Sequence, residues 1–246
     1  PHVSAPEEFK NQYPEEEIQV DPNVPAEMHS NVQKELVGYY AHCSATDLAI
    51  GGILDKVKEL DMMKNTIIVF TSDHGEIMGA HGIRIKQKQV PWNEAASVPL
   101  IISYPSSKGL ESRQIEMAVT TPDISSSLLA MAGLKIPDSF EGVDLTKVLM
   151  GSKEDSDHGA LYMCVSPFAA VRKEIKKEYR AIKTSQYTYV KDIEGGWLLY
   201  DDLEDPYQMN NLISSPEYAD IQSDLERRLM SELLRINDDF SPAESY

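Results

Sequence analysis

Hydrophobic and polar residues along this chain of 246 residues alternate with two periods, one helical and one typical of strands. In residues 30–60 apolar side chains recur every three or four positions, which predicts a long amphipathic helix with Ser30 as its N-cap. A second helical stripe of apolar residues occupies residues 216–237. A shorter helix is predicted for residues 122–132, with Gly133 as the C′ residue that ends it.

Short runs of β-branched and aromatic residues predict the strands. Residues 65–70 predict a buried parallel strand, and residues 99–103 predict a second core strand. Towards the C-terminus, further runs predict a meander of strands at residues 161–165, 178–184, 187–192 and 197–201. The Gly195-Gly196 pair predicts a tight turn before the last of these strands. Residues 1–28, rich in Pro and Glu, predict an extended surface loop.

Composition limits the classes of function open to the chain. With 41% hydrophobic residues, 246 residues can bury the core of one large domain and of a smaller one. The formal net charge of −17 argues against nucleic acid and against an anionic membrane surface as partners. No apolar run approaches the roughly 18 residues of a membrane span. The two cysteines are far apart in sequence and leave the redox compartment open.

Candidate chemistry is concentrated directly after the first predicted strand. Asp73 and His74 follow residues 65–70, and Gly75 and Gly79 give the backbone around them conformational freedom. Open α/β sheets place ligands and reactive groups at the carboxyl ends of their strands. A carboxylate beside an imidazole at that position is half of a divalent-metal site. The simpler alternative is that Asp73 caps the next helix and His74 is a solvated turn residue.

Five segments, taken in order, resemble the sulfatase family of the alkaline-phosphatase-like superfamily. The matching segments are Ser72-Asp73-His74-Gly75, Met78-Gly79-Ala80-His81-Gly82, Pro91-Trp92-Asn93-Glu94 with Val98-Pro99-Leu100-Ile101-Ile102, residues 122–133, and Leu199-Tyr200-Asp201-Asp202-Leu203 with Asn211-Leu212. Each segment has low specificity by itself. Their common order along the chain is what makes the resemblance specific.

The resemblance implies an α/β fold, namely the C-terminal part of an alkaline-phosphatase-like α/β sandwich plus a small C-terminal antiparallel sheet with a covering helix. Since residues 151–158 have linker composition, we expect residues 1–157 to belong to the catalytic α/β domain and residues 158–246 to form the small subdomain. The family's Cys/Ser-x-Pro-x-Arg segment, whose Cys or Ser becomes the formylglycine nucleophile, has no match around Cys43 or Cys164. We therefore expect the C-terminal half of a sulfatase, inactive in isolation, with its own N-terminal half as a partner.

The resemblance also implies that Asp73 and His74 donate two ligands to a divalent metal ion and that the missing half supplies the others. Many family members have Asn at the second position, where an oxygen ligand suits Ca²⁺. The imidazole of His74 suits Zn²⁺ or Mn²⁺ better. We expect Ca²⁺ first, with Mg²⁺, Mn²⁺ or Zn²⁺ as alternatives.

In this family a lysine bridges the sulfate and the nucleophile, and two lysines of this chain compete for that role. The family's usual spacing, counted forward from His81, favours Lys86, whereas the spacing counted back from Trp92 favours Lys88. The two counts disagree because the loop between these motifs is longer than the common form. The downstream count leads into a core strand, which should preserve its register. We therefore predict Lys88 as the catalytic lysine and Lys86 as a substrate contact.

Other site residues follow from the same resemblance. The Pro1-His2 pair resembles the family's Pro-His segment, which implies that His2 contacts the ester oxygen and acts as general acid. His81 and Arg84 are further candidates for substrate contacts, although for His81 we favour a structural hydrogen bond in its turn. We expect Glu94 to brace the loop, with a lysine as its partner, and Trp92 to pack.

Some polar residues carry no motif. Asp47 lies on the apolar stripe of the long predicted helix, so we expect it to be buried and hydrogen-bonded, with a structural role favoured over a role in the site. His29, His42 and His158 are expected to be surface or helix residues.

Three functions are compared. The first is a sulfuric-ester hydrolase that acts on a sulfated carbohydrate or an aryl sulfate. The second is a phosphatase or phosphonate monoester hydrolase of the same superfamily, and the third is a non-catalytic module with this fold. The presence of both Asp73 and His74 argues against the third. The sequence leaves the compartment open, although we favour a periplasmic or extracytoplasmic one over the cytoplasm.

Overall fold

A computed structural model of the chain describes residues 4–105, 111–152, 158–167 and 177–240. The chain forms two compact units, Pro1–Glu111 and Ser112–Tyr246. The domain boundary expected between residues 157 and 158, from the linker composition of residues 151–158, stays a prediction.

Helices and short strands are mixed along the chain, which confirms the α/β class. The helices are α1 (Glu7–Lys10), α2 (His29–Glu59), α3 (Asn93–Ala96), α4 (Thr121–Met131), α5 (Thr146–Leu149) and α6 (Ala219–Arg235). The strands are β1 (Ile68–Thr71), β2 (Leu100–Ser103), β3 (Ala160–Cys164), β4 (Tyr179–Lys183), β5 (Tyr187–Asp192) and β6 (Gly195–Asp201). Within the described ranges, no helix combines the length and the apolar character that crossing a bilayer requires.

Helix α2 confirms the long helix predicted from the apolar stripe, but its start differs from the prediction. The residue before the helix is Met28, and no side-chain hydrogen bond caps the first turn. Ser30 is therefore inside the helix rather than its N-cap. The preceding stretch, predicted as a loop, is interrupted by α1 and by two short 3-10 turns at Glu15–Glu17 and Ala26–Met28.

The two halves of α2 have different environments. Val32 and Ala41 in the first half are buried, whereas Leu48 and Ile53 in the second half are 69% and 64% exposed. Asp47 is also exposed in this chain, so the expectation that it is buried and hydrogen-bonded is wrong. Apolar spacing alone therefore identified the helix but not the part of its stripe that is covered.

Strands β1 and β2 form a two-stranded antiparallel sheet. In its register Ile68 lies opposite Ser103 and Thr71 lies opposite Leu100. Strand β1 is half-buried at its start and exposed at Phe70 and Thr71, so the predicted buried parallel strand is wrong in both respects. The reason is that β-branched and aromatic residues suit any pleated surface and do not specify the direction or number of partner strands.

The second unit contains a four-stranded sheet in the order β3-β4-β5-β6, with every neighbouring pair antiparallel. This confirms the predicted meander, and α6 covers one face of it as expected. The core between sheet and helix consists of Ile182, Tyr189, Leu199, Leu212, Leu225, Leu229 and Leu233. The leucines of α6 follow the stripe seen in the sequence, because positions four apart lie on one helix face.

The turn between β5 and β6 lies earlier than predicted. Residues Ile193 and Glu194 form it, and the Gly195-Gly196 pair already belongs to β6. Asp192 explains the shift, because its Oδ1 accepts hydrogen bonds from the backbone N–H groups of Glu194 (2.8 Å) and Gly195 (3.2 Å).

Helix α4 begins with a capping box formed by Thr120 and Asp123, and Gly133 ends it with φ +73 as predicted. Asp123 is buried and accepts a hydrogen bond from the N–H of Val143 at 2.8 Å. His158, expected at the surface, lies with its Nε2 atom 3.4 Å from Oδ2 of Asp123 and is only 12% exposed. That expectation is wrong because His158 and Asp123 are distant in the sequence, and the fold brings His158 next to the start of α4.

Candidate active site

The side chains of Asp73 and His74 converge in the turn that directly follows β1. The Nε2 atom of His74 lies 3.3 Å from Oδ2 of Asp73. The Nδ1 atom of the same imidazole is 2.9 Å from the carbonyl oxygen of Gly75. When Nδ1 donates to that carbonyl, Nε2 keeps its lone pair and faces the carboxylate as a second donor atom for a cation.

Solvent reaches both side chains. The side chain of Asp73 is 82% exposed, and that of His74 is 39% exposed. When His74 is protonated and no cation is bound, its charge, together with its backbone N–H, which donates to Oδ1 at 3.0 Å, holds the pKa of Asp73 below its usual range. Asp73 is therefore a carboxylate at neutral pH. The pair presents one anionic oxygen and one imidazole nitrogen to the same point.

This donor set fits a divalent cation. Calcium–oxygen distances are about 2.3–2.6 Å, so one ion can contact both atoms across a separation of 3.3 Å. In the parts of the chain that the structure describes, no group of three or more His, Cys, Asp or Glu side chains converges. Asp73 and His74 can thus be two ligands of a larger set.

Backbone hydrogen bonds join this turn to the segment that carries the candidate lysines. The N–H of Gly75 donates to the carbonyl of Ala95 at 2.8 Å, and the N–H of Ile77 approaches the carbonyl of Gln87 at 3.3 Å. Gly75 is required for this approach, since a Cβ atom there would lie 1.9 Å from the carbonyl oxygen of Glu94.

Side chains in this second segment alternate between the interior and the solvent. The inward set is Ile83, Ile85 and Gln87, and the outward set is Arg84, Lys86 and Lys88. Burying the apolar members of one set directs the cations of the other to the surface. The three cationic candidates of this segment are therefore all exposed.

The two candidate lysines have different surroundings. Lys86 has φ +74, its N–H donates to Oε1 of Glu76 at 2.7 Å, and its ammonium lies 3.2 Å from Oε1 of Glu35. Lys88 is exposed and forms no ion pair with any described residue. Lys86 is thus engaged within the protein, whereas the charge of Lys88 is presented to solvent.

His81 is enclosed by residues from two other segments. Its N–H donates to the carbonyl of Asn23 at 2.8 Å, and its ring stacks on Trp92 at a centroid distance of 4.7 Å. Asn23 also donates from Nδ2 to Oε1 of Glu94 at 2.5 Å, and Oε2 of Glu94 lies 3.8 Å from Nε2 of His81. The partners of Glu94 are therefore an amide and an imidazole, which corrects the expected lysine.

Sequence reasoning missed Asn23 and Glu35, which contact the site from other segments. Asn23 lies in the N-terminal stretch, and Glu35 lies on α2. Neither carries a local motif, so only the three-dimensional contacts identify them. The candidate general acid His2 lies outside the described residues.

The α/β fold is that of the alkaline-phosphatase-like superfamily. A phosphonate monoester hydrolase of Agrobacterium radiobacter shares the fold with a TM-score of 0.80 at 22% identity, over 96% of this chain and 55% of that one. A protein solved in complex with its substrate D-glucosamine-2-N,6-O-disulfate superimposes with a TM-score of 0.72 at 26% identity, over 92% of this chain and 45% of that one.

Within that superfamily, two family models match the chain. The Sulfatase model matches residues 1–134, and the model for the C-terminal part of N-sulphoglucosamine sulphohydrolase matches residues 79–235. The chain therefore belongs to the sulfatase family.

Two curated relatives show how much of such a protein the chain represents. It is 42% identical over its whole length to the ulvan-active sulfatase of Formosa agariphila and covers 48% of that protein. It is 30% identical to the endo-4-O-sulfatase of Bacteroides thetaiotaomicron, over 94% of this chain and 47% of that protein. The chain thus spans about half the length of the curated relatives it matches.

Proposed function

We propose that this chain is the part of a sulfuric-ester hydrolase that supplies two metal ligands and a sulfate-binding lysine. The observation that supports it is the 3.3 Å separation of Asp73 Oδ2 and His74 Nε2 at the end of β1, in a chain of the sulfatase family. These two side chains would hold a divalent ion, with Ca²⁺ first, and polypeptide outside this chain would complete the ligands. Such an ion neutralises charge on the sulfuryl oxygens.

The residues of this chain then bind and orient the ester. Lys88 contacts a sulfuryl oxygen and stabilises the charge that grows on it in the transition state. Lys86, held by Glu35, lines the substrate mouth together with Arg84 and His81. His2 donates a proton to the alkoxide oxygen as the sulfur–oxygen bond breaks. The formylglycine nucleophile is expected in the N-terminal half, so this chain alone does not turn over substrate.

We infer a sulfated carbohydrate as the substrate class. The relatives with printed substrates include the ulvan-active sulfatase, the endo-4-O-sulfatase and an N-acetylglucosamine-6-O-sulfatase. A net charge of −17 opposes long-range attraction of a polyanion. Recognition of sulfate therefore depends on the local cations Arg84, Lys86 and Lys88.

The test is an assay of the complete enzyme, produced with its nucleophile converted to formylglycine. Inorganic sulfate released from ulvan and from sulfated glycosaminoglycan fragments is compared with hydrolysis of an aryl phosphate and of a phosphonate monoester. We expect sulfate release to be faster, and we expect Asp73→Ala to abolish it. Preferential hydrolysis of the phosphorus esters would instead support the phosphatase-like alternative, and near-normal activity of Asp73→Ala would contradict the proposed site.

A further inference from the structure

Lys86 has a backbone conformation that residues with a side chain seldom adopt. It lies in a turn with Ile85, and its φ of +74 is in the left-handed region that favours glycine. A residue of this kind is strained and persists only where the contacts around it enforce the conformation. Lys88 is two residues further along the chain, so the contacts that enforce this turn also affect the position of Lys88.

The carboxylate of Glu76 makes one of these contacts. Its Oε1 atom accepts a hydrogen bond from the backbone N–H of Lys86 at 2.7 Å. A hydrogen bond to an ionised carboxylate is stronger than one to a neutral carbonyl. The bond to Glu76 can therefore offset the strain of the left-handed conformation at Lys86.

The residue after Glu76 holds the next position of the same loop. The N–H of Ile77 donates to the carbonyl of Gln87 at 3.3 Å, and the side chain of Gln87 is buried. Two adjacent residues, Glu76 and Ile77, thus hold two adjacent residues, Lys86 and Gln87. Both hydrogen bonds act on the part of the loop that directly precedes Lys88.

Glu76 also follows the candidate metal ligands closely along the chain. It is two residues after His74, and Gly75 between them donates its N–H to the carbonyl of Ala95 at 2.8 Å. The same short segment therefore carries the Asp73-His74 pair and the contacts to the lysine loop. Few bonds separate the position of the metal ligands from that of the loop.

The ammonium group of Lys86 has a separate anchor. It lies 3.2 Å from Oε1 of Glu35, whose other carboxylate oxygen, Oε2, is buried and has no hydrogen bond to any described residue. This ion pair acts on the side chain alone. Lys86→Ala would remove it and would keep the backbone N–H that Glu76 accepts, so the two anchors can be tested separately.

We propose that Glu76 is a positioning residue, whose carboxylate holds the backbone of Lys86 in the left-handed conformation and so places Lys88 relative to Asp73 and His74. This inference rests on the proposed sulfatase function. Since misplacing a catalytic group by about 1 Å can cost about 10²-fold in rate, one hydrogen bond that fixes the loop can influence catalysis without touching the substrate.

Hydrogen exchange at the backbone amide of Lys86, measured in the complete enzyme, tests the bond itself. Glu76→Ala removes the acceptor and should make this exchange at least about tenfold faster. Glu76→Gln retains an oxygen acceptor and should change the rate less than about threefold. The matched control Glu27→Ala removes an exposed carboxylate of the same unit and should leave the rate unchanged.

An unchanged exchange rate at Lys86 in Glu76→Ala would overturn the proposal. Exchange depends on the hydrogen bond and not on turnover. This measurement therefore separates failure of the contact between Glu76 and Lys86 from failure of the proposed function.

Kinetics on the complete enzyme test whether the bond positions the sulfate-binding lysine. Glu76→Ala should raise KM for the sulfate ester about fivefold and lower kcat/KM about tenfold, and Glu76→Gln should keep both within about threefold of the parent. A smaller folded fraction would instead lower the apparent kcat and leave KM unchanged. An unaltered KM in Glu76→Ala would contradict the positioning role.

A double variant shows whether Glu76 acts through Lys88. When Lys88→Ala is already present, Glu76→Ala should lower kcat/KM by less than about a further twofold, because the group that it positions is gone. The same tenfold loss with and without Lys88 would show that Glu76 supports the fold in general, and it would overturn the proposal.

Discussion

The ammonium of Lys86 lies 3.2 Å from Oε1 of Glu35, a carboxylate on α2 that is only 15% exposed. The next lysine along the chain, Lys88, points to solvent and pairs with none of the described residues. The two lysines that compete for the catalytic role thus differ in whether their charge is already neutralised within the protein. A sulfate competes with Glu35 at Lys86 but meets no such competitor at Lys88.

Replacing each lysine by alanine tests this difference. Lys88→Ala should lower kcat/KM of the complete enzyme by about 10²-fold or more, as removal of a transition-state charge contact does. Lys86→Ala should cost less than about tenfold, because its main contact lies within the protein. Steady-state rates on a sulfate ester decide the order, and a larger loss in Lys86→Ala would reassign the catalytic lysine.

A methyl group at Gly75 should damage the metal site without removing any side chain. The added Cβ would lie 1.9 Å from the carbonyl oxygen of Glu94, so the backbone next to His74 must shift. We expect Gly75→Ala to weaken binding of Ca²⁺ at least tenfold, measured by calorimetry on the complete enzyme.

Gly52→Ala is the matched control for that change. Gly52 lies within α2, and nothing is within 4 Å of the position of its Cβ. It should leave metal affinity unchanged and raise helix stability by about 0.5–1 kcal/mol, because alanine is the better helix former. Equal metal affinity in Gly75→Ala and the parent would show that the close approach at Gly75 does not support the site.

The carboxyl group of Asp123 should make the free energy of unfolding depend on pH in acidic solution. Burial raises its pKa, but the nearby imidazole of His158 and hydrogen bonds from the N–H groups of Val143 and Thr120 outweigh that effect and lower it. Because the folded pKa is below the unfolded value of about 3.9, this stabilisation is complete above that value and is lost as pH falls through the folded pKa.

Asp123→Asn removes the carboxylate and should cost about 1–3 kcal/mol of unfolding free energy at pH 7. The difference between parent and variant should shrink below about pH 4, where the parent's carboxyl becomes protonated. Urea unfolding at pH 7, 5 and 3 measures it. A difference that stays constant across that range would show that the charge of Asp123 does not stabilise the fold.

Two leucines of α6 separate the packed face of the helix from its exposed face. Leu229 is 0% exposed in the core against the sheet, whereas Leu234 is 73% exposed. Leu229→Ala should cost about 2–5 kcal/mol of unfolding free energy through lost burial and a cavity. Leu234→Ala should stay within about 0.5 kcal/mol. Similar losses in urea unfolding for both variants would contradict the packing described for the second unit.

Elements that depend on local pattern could be predicted from the sequence. The apolar stripe of α6 has a single amphipathic solution, because one face of the helix is buried against the sheet. The runs of β-branched and aromatic residues in β3 to β6 are typical of strands in a packed sheet. The end of α4 at Gly133 follows from the left-handed conformation that glycine tolerates there.

Features that depend on contacts distant in sequence could not be predicted. The antiparallel pairing of β1 with β2 and the exposure of Asp47 are set by what surrounds the element, which hydrophobic periodicity does not encode. The same limit applies at the site. The motif marks Asp73 and His74, but the residues that hold Lys86 and Glu94 come from segments without any motif.

The most direct test of the central claim is an anomalous-scattering map of the complete enzyme crystallised with Mn²⁺ in place of Ca²⁺. The account predicts one ion bound by the carboxylate of Asp73 and by Nε2 of His74, at about 2.0–2.6 Å from each. An ion located elsewhere, with these two side chains turned away from it, would contradict the proposed site.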